Sequence, residues 1–319
     1  MFESIFNIED AELEDLSKLN YCLVIYAWGY EQRATNMLKL YNPKSDRAVA
    51  IGFNFANCLA YNSNKSILSK GGVELFAEIE DQNFQDLMQR ILAEATENLE
   101  QNEPCRILVD ISCFNRYRLA SIIHLISAAA KLHRFVVDFF YSVAKYSDPP
   151  LIKVPNTVVS PVHPAFAGWP TQPANPTAAI VGLGYEQDQA LGIVEYLQAN
   201  PVWLFSPVSS EKRYEPAVEN ANGLLLEELP EDHVVKYEVE QPANTFRLLD
   251  GMIRGLQHDH NVVVVPFGPK IFVLCSLLAA WRHTNSAVWR VSAGTGIDPY
   301  DRKASKFQSL LRISAQPAS

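Results

Sequence analysis

Short apolar runs alternate with amphipathic stretches along nearly the whole chain. Residues 21–27, 47–53, 106–111 and 135–141 read as buried strands, and residues 73–79 alternate as a half-buried one. Between them, residues 31–40 set Ala34, Met37 and Leu38 at helical spacing. Residues 84–99 carry Phe84, Leu87, Ile91, Leu92 and Ala95 on one face, and residues 116–132 are apolar on most sides. A weaker helix covers 56–70 and closes at Gly71-Gly72. The second half repeats the order, with strands expected at 178–183, 201–206, 233–239, 261–266 and 287–293. Its helices are expected at 186–199, 211–222, 244–257 and 270–283. Residues 1–20 read as an acidic lead-in with one or two helical turns, and the tail from Phe307 as a short apolar patch (Leu310, Leu311, Ile313) with a frayed Ser/Ala/Gln/Pro end.

Strands alternating with helices at this spacing indicate parallel sheets wound by right-handed crossovers. The expected fold is α/β, with two tandem Rossmann-like, doubly wound domains. Residues 149–176 separate them and hold eight prolines, which favour extended chain over helix. The expected division is therefore 1–148, a connection at 149–176, and 177–319.

The halves look duplicated. Gly29-Tyr30-Glu31-Gln32 returns 155 residues later as Gly184-Tyr185-Glu186-Gln187. The strand patterns Arg106–Asp110 and Asn261–Val265 stand at the same offset. Two anchors in register argue for internal duplication.

Composition narrows the function classes. A net charge of −9 disfavours binding to long duplex nucleic acid, whose phosphates need a basic footprint, but leaves room for a local pocket for a small anionic ligand. No apolar run approaches a membrane span and no signal-peptide pattern is present, so a cytoplasmic location away from membranes is expected. The five cysteines form no CxxC pair and read as reduced, structural side chains. His258-Asp259-His260 reads as a polar loop, and no metal or cofactor is expected.

In open α/β sheets, ligands bind beyond the carboxyl ends of the strands, where strand order reverses. In the order 3-2-1-4-5 that point lies between strands one and four, and the motifs follow those strands. In the first half the candidate ligand-binding residues are Gly29, Tyr30, Glu31, Arg33, Asp110, Ser112, Asn115 and Arg116. In the second they are Gly184, Tyr185, Glu186, Gly268 and Lys270. The glycines allow a sharp turn and close backbone approach. Helix capping competes as the role of Glu31, Glu186 and Ser112. Arg33, Arg116 and Lys270 suit phosphate oxygens, and Tyr30 or Tyr185 can stack on a base. No GxGxxG turn, Walker A loop or GxSxG elbow is present.

Asp110 and Ser112, with Gly268, Pro269 and Lys270, resemble the strand-end and helix-opening residues of CRISPR-associated Rossmann-fold (CARF) sensor domains, and two such units in one chain resemble the related SAVED domains. The pattern departs at Asn115-Arg116 and at Val265. The resemblance implies a sensor of nucleotide or other phosphorylated ligands, bound in a groove between Rossmann-like units, in a bacterial defence or signalling system with an effector protein partner on another chain. Two other classes stay open. One is an enzyme acting on a nucleotide or nucleic-acid phosphate with Glu31 or Asp110 as acid/base. The other is a non-catalytic scaffold.

Overall fold

A computed structural model describes residues 4–54, 57–97, 99, 103–149, 156–168, 172–292 and 299–318. The chain divides into two compact units, Met1–Lys145 with Pro299–Ser319, and Tyr146–Asp298.

In the first unit, β1 (Ser4–Asp10), β2 (Asn20–Trp28), β3 (Lys44–Phe53), β4 (Glu74–Ile79), β5 (Cys105–Asp110), β6 (Phe135–Ala144) and the last strand of the chain, β13 (Ala304–Pro317), form one sheet in the order β1-β13-β6-β5-β2-β3-β4. Strands β2 to β6 are parallel and give the 3-2-1-4-5 order. The helices are α1 (Asp15–Lys18), α2 (Asn36–Tyr41), α3 (Tyr61–Lys70), α4 (Asp81–Thr96) and α5 (Arg116–Ala129). Alternation along β2 explains its burial. Val24, Tyr26 and Trp28 pack against Met37 and Leu38 of α2 and Leu68 of α3, while Leu23 and Ile25 on the opposite face are equally sealed.

The second unit has a sheet in the order β10-β9-β8-β11-β12-β7. Its strands are β7 (Val158–Pro161), β8 (Thr177–Gly182), β9 (Val202–Val208), β10 (Val234–Glu238), β11 (Asn261–Pro266) and β12 (Ala287–Ser292). Its helices are α6 (Gln189–Leu197), α7 (Tyr214–Ala221), α8 (Gly223–Glu228), α9 (Pro242–Leu256) and α10 (Lys270–Arg282). Strands β8 to β12 repeat the parallel 3-2-1-4-5 order. The duplication extends to register: Leu23–Ile107, Val24–Leu108 and Ile25–Val109 recur as Ala178–Val262, Ala179–Val263 and Ile180–Val264, each partner displaced by 155.

The chain ends differ from expectation. The expected helical turn is α1, but residues 4–10 ahead of it are a strand, and the tail with its expected frayed end is the 14-residue β13, antiparallel to both β1 and β6. The tail therefore belongs to the first unit, not to a domain spanning 177–319. Its anchor is chemical. Arg312 donates Nε and Nη2 to Asp138 of β6 at 2.7 and 2.8 Å, and the Tyr21 hydroxyl donates to the same carboxylate at 2.8 Å. The proline-rich connection also joins a sheet, since β7 pairs antiparallel with β12. Pro150, Pro155 and Pro170 of that connection lie outside the described residues. Among the described residues no helix is long and apolar enough to cross a membrane.

Candidate functional site

In each unit the reversal of strand order brings the expected pair of turns together. In the first, a Cβ placed on Gly29 would lie 4.0 Å from Cβ of Cys113, across the gap between β2 and β5. In the second, a Cβ on Gly184 would lie 3.1 Å from the Gly268 nitrogen. A buried asparagine supports each turn. Asn64 of α3 donates to the carbonyls of Gly29 and Glu31 at 2.9 and 2.8 Å. Asn222, after α7, donates to the Gly184 carbonyl at 2.8 Å. Both asparagines were missed in the sequence. Asn64 carries a signal, because it precedes buried Leu68 by one helical turn and so shares its apolar face.

The glycines play unequal parts. Gly268 adopts φ +71°, and a side chain there would run into the Leu183 carbonyl, so only glycine fits. Gly29 has no positive φ and no neighbour closer than 3.9 Å to an added Cβ, so a sharp turn does not require it. The elements after them also begin late. Residues 32–35 form a 3₁₀ turn before α2, and α6 starts at Gln189 rather than 186. Glu31 and Glu186 thus precede their helices, and neither caps one in a first turn.

Arg33, Glu31 and Asp110 of the first crevice are held by bonds within the unit. Arg33 is sealed, with its side chain 1% exposed. Its Nε donates to Glu31 at 2.6 Å and its Nη1 to the Ser142 carbonyl at 3.0 Å. Burial would lower the Arg33 pKa, but the Glu31 carboxylate, with Cys113 and Tyr141, outweighs it and holds the guanidinium well above its ordinary value. The Ser142 amide donates to the Ser112 hydroxyl at 2.9 Å, and the Ser112 amide to Asp110 at 3.0 Å. Ser112 therefore ties β5 to β6 and does not cap α5. Asn115 is the cap, accepting from the Arg118 amide at 2.8 Å. Asp301 takes the Gln32 amide at 2.8 Å, and the Arg302 carbonyl takes that of Arg33 at 3.3 Å. Two amides that follow the first turn are thus spent on the returning chain. Burial, then the neighbouring Glu31, pushes the half-buried Tyr30 hydroxyl up.

Arg118 was also missed. It is fully buried, pairs with Asp81 at 2.7 Å, donates to the Gly52 carbonyl at 3.2 Å and lies 3.8 Å over the Phe53 ring. Its spacing to Ile122 and Leu125 marked it as inward-facing. Arg116, two residues earlier, stays half-buried at the first position of α5. Lys270 occupies the same place in α10, also half-buried, and neither helix has an acidic residue in its first turn. Tyr185 is 8% exposed and packs in the second core, so its ring is covered. Glu186 is half-buried, with Oε2 2.5 Å from the position of a Gly184 Cβ.

Away from the crevices, at the amino ends of β2 and β5, Cys22 and Cys105 share a hydrogen bond that lowers the Cys22 thiol to about 6 and pushes Cys105 up. All five cysteines are free thiols. Among the described residues no group of His, Cys, Asp and Glu is set to hold a metal ion.

No protein-family model and no curated protein matches the chain. Among solved structures, the cytoplasmic domain of a prokaryotic cation chloride cotransporter is similar at 14% identity, over 87% of this chain and 98% of that one, with a TM-score of 0.26. A short-chain dehydrogenase from Shigella flexneri is similar at 12% identity, over 93% and 98%, with a TM-score of 0.21. Scores this low carry no argument about site or activity.

Proposed function

We propose that this chain is a cytoplasmic sensor whose Rossmann-like units take a nucleotide or similar phosphorylated ligand beyond the carboxyl ends of their sheets. The observation that carries the reading is the shared helix position of Arg116 and Lys270. Each is the first residue of the helix that leaves the switch-point strand. A helix amino terminus favours an anion, and a lysine or arginine placed there in both copies adds a second, charge-assisted group for the same anionic ligand. The sensor's output passes to an effector protein on another chain, as the resemblance to CARF and SAVED domains implies. An acid/base role for Glu31 or Asp110 has less support. Glu31 is paired with Arg33, and Asp110 is buried and receives the Ser112 amide.

The test is a thermal-shift screen against mono-, di- and cyclic nucleotides, followed by calorimetry on Arg116→Ala and Lys270→Ala. A charge-assisted contact contributes about 1.5–3 kcal/mol, so each substitution is expected to weaken binding roughly ten- to a hundredfold with little change in melting temperature. Stabilisation by no member of the screen, or unchanged affinity in both variants, would overturn the proposal.

A further inference from the structure

The second unit carries a chain of aromatic rings that runs outward from its core. Tyr185, directly after Gly184 at the end of β8, lies 5.5 Å from Tyr214, the first residue of α7 beyond β9. Tyr214 meets Tyr146 edge to face at 5.2 Å. The Arg213 guanidinium lies over the Tyr146 ring at 5.2 Å. The inner member, Tyr185, is buried, whereas the outer end reaches solvent: the Arg213 side chain is 56% exposed and Tyr146 is half-buried.

Both outer groups are held in place. Arg213 forks onto Glu211, Nε to Oε1 at 2.9 Å and Nη2 to Oε2 at 3.1 Å. The Tyr146 hydroxyl is hydrogen-bonded to Asp148. The first unit has a comparable group after β2 and β3, but a sealed one. Trp28 and Tyr61 stack at 4.5 Å with 1% and 5% exposure, and Lys65 lies over Trp28. There the aromatic faces serve the core. In the second unit they reach the surface beside the switch-point turn, in the unit that holds Lys270.

A planar guanidinium neutralised by its carboxylate, next to a tyrosine ring, offers flat faces on which a heteroaromatic ring can stack. We propose that Tyr146, Tyr214 and Arg213 form a nucleobase-stacking subsite at the carboxyl ends of β8 and β9. This rests on the anionic-ligand reading and gives that ligand a base. It also moves the stacking role outward from covered Tyr185 to Tyr146.

The test titrates the full chain by calorimetry with adenosine 5′-monophosphate and with ribose 5-phosphate, which share the phosphate and differ by the base. The parent chain is expected to prefer the nucleotide by roughly five- to a hundredfold, the range one stacked base contributes. Tyr146→Ala should abolish the preference at unchanged melting temperature, and Tyr146→Phe should keep most of it. Arg213→Ala, at a more exposed position, should reduce it and guards against a folding defect in the first variant. Equal binding of the two probes by the parent, or a preference that survives Tyr146→Ala and Arg213→Ala, overturns the subsite alone. Binding of neither probe overturns the subsite, and the anionic-ligand reading falls with it when the nucleotide screen also stabilises nothing.

Discussion

A guanidinium sealed from water must find its counter-charge inside the protein. Arg33 finds Glu31 two residues away and the Ser142 carbonyl across the sheet. Removing one partner of a buried pair costs about 3–5 kcal/mol, because the other charge is left without compensation. Glu31 keeps 14% exposure, so Arg33→Ala is expected at the low end, about 3 kcal/mol in urea unfolding, with ligand affinity retained. Normal stability with lost binding would instead make Arg33 a ligand contact. Arg118 follows the same logic on a different side of the crevice, between Asp81 and the Phe53 ring. Of the three arginines near this switch point, Arg116 is the half-buried one, which is why the binding test falls on it.

At the scale of elements, the repeated turns show how one motif can carry different constraints. Both turns are pinned by an asparagine from the following crossover, and both face the loop after the fourth strand. Only the second brings backbone against backbone. Gly268→Ala should destabilise the protein by more than about 1 kcal/mol, since it combines a positive φ with a clash against the Leu183 carbonyl. Gly29→Ala should stay within about 0.5 kcal/mol, because the added methyl meets only ordinary contacts. Thermal melts of the two variants decide this, and equal losses would refute the account. Nothing in the packing explains why glycine recurs at position 29.

For the whole molecule, the decisive feature is that the first unit is completed by the end of the chain. Strand β13 fills the place between β6 and β1, and Arg312 neutralises Asp138, which is completely buried. Removing residues 304–317 would open the β6 edge and strand that carboxylate. The truncated chain should lose the folding transition of the first unit while the second, whose sheet is built from residues 158–292, keeps its own. Hydrogen exchange resolved along the chain would show it: protection lost over β2, β5 and β6 and kept over β8 and β11. Protection retained throughout would contradict the role given to β13.

The sequence by itself determined the α/β class, the five core strands of each half and the duplicated turns. Those features rest on local periodicity and on a repeat, and both are written in consecutive residues. Tertiary structure alone decided the rest. The partner of Asp138 lies 174 positions away, and those of Gln32 and Arg33 on the returning chain lie 269 away. The tail's Ser, Ala and Gln residues give β13 little apolar signal until β1 and β6 flank it. Arg33 and Arg116 differ little as residues in a string. Only the packing of β6 against β5 determines that one is sealed behind Glu31 while the other stays within reach of solvent, because burial is a property of the neighbours that a side chain meets.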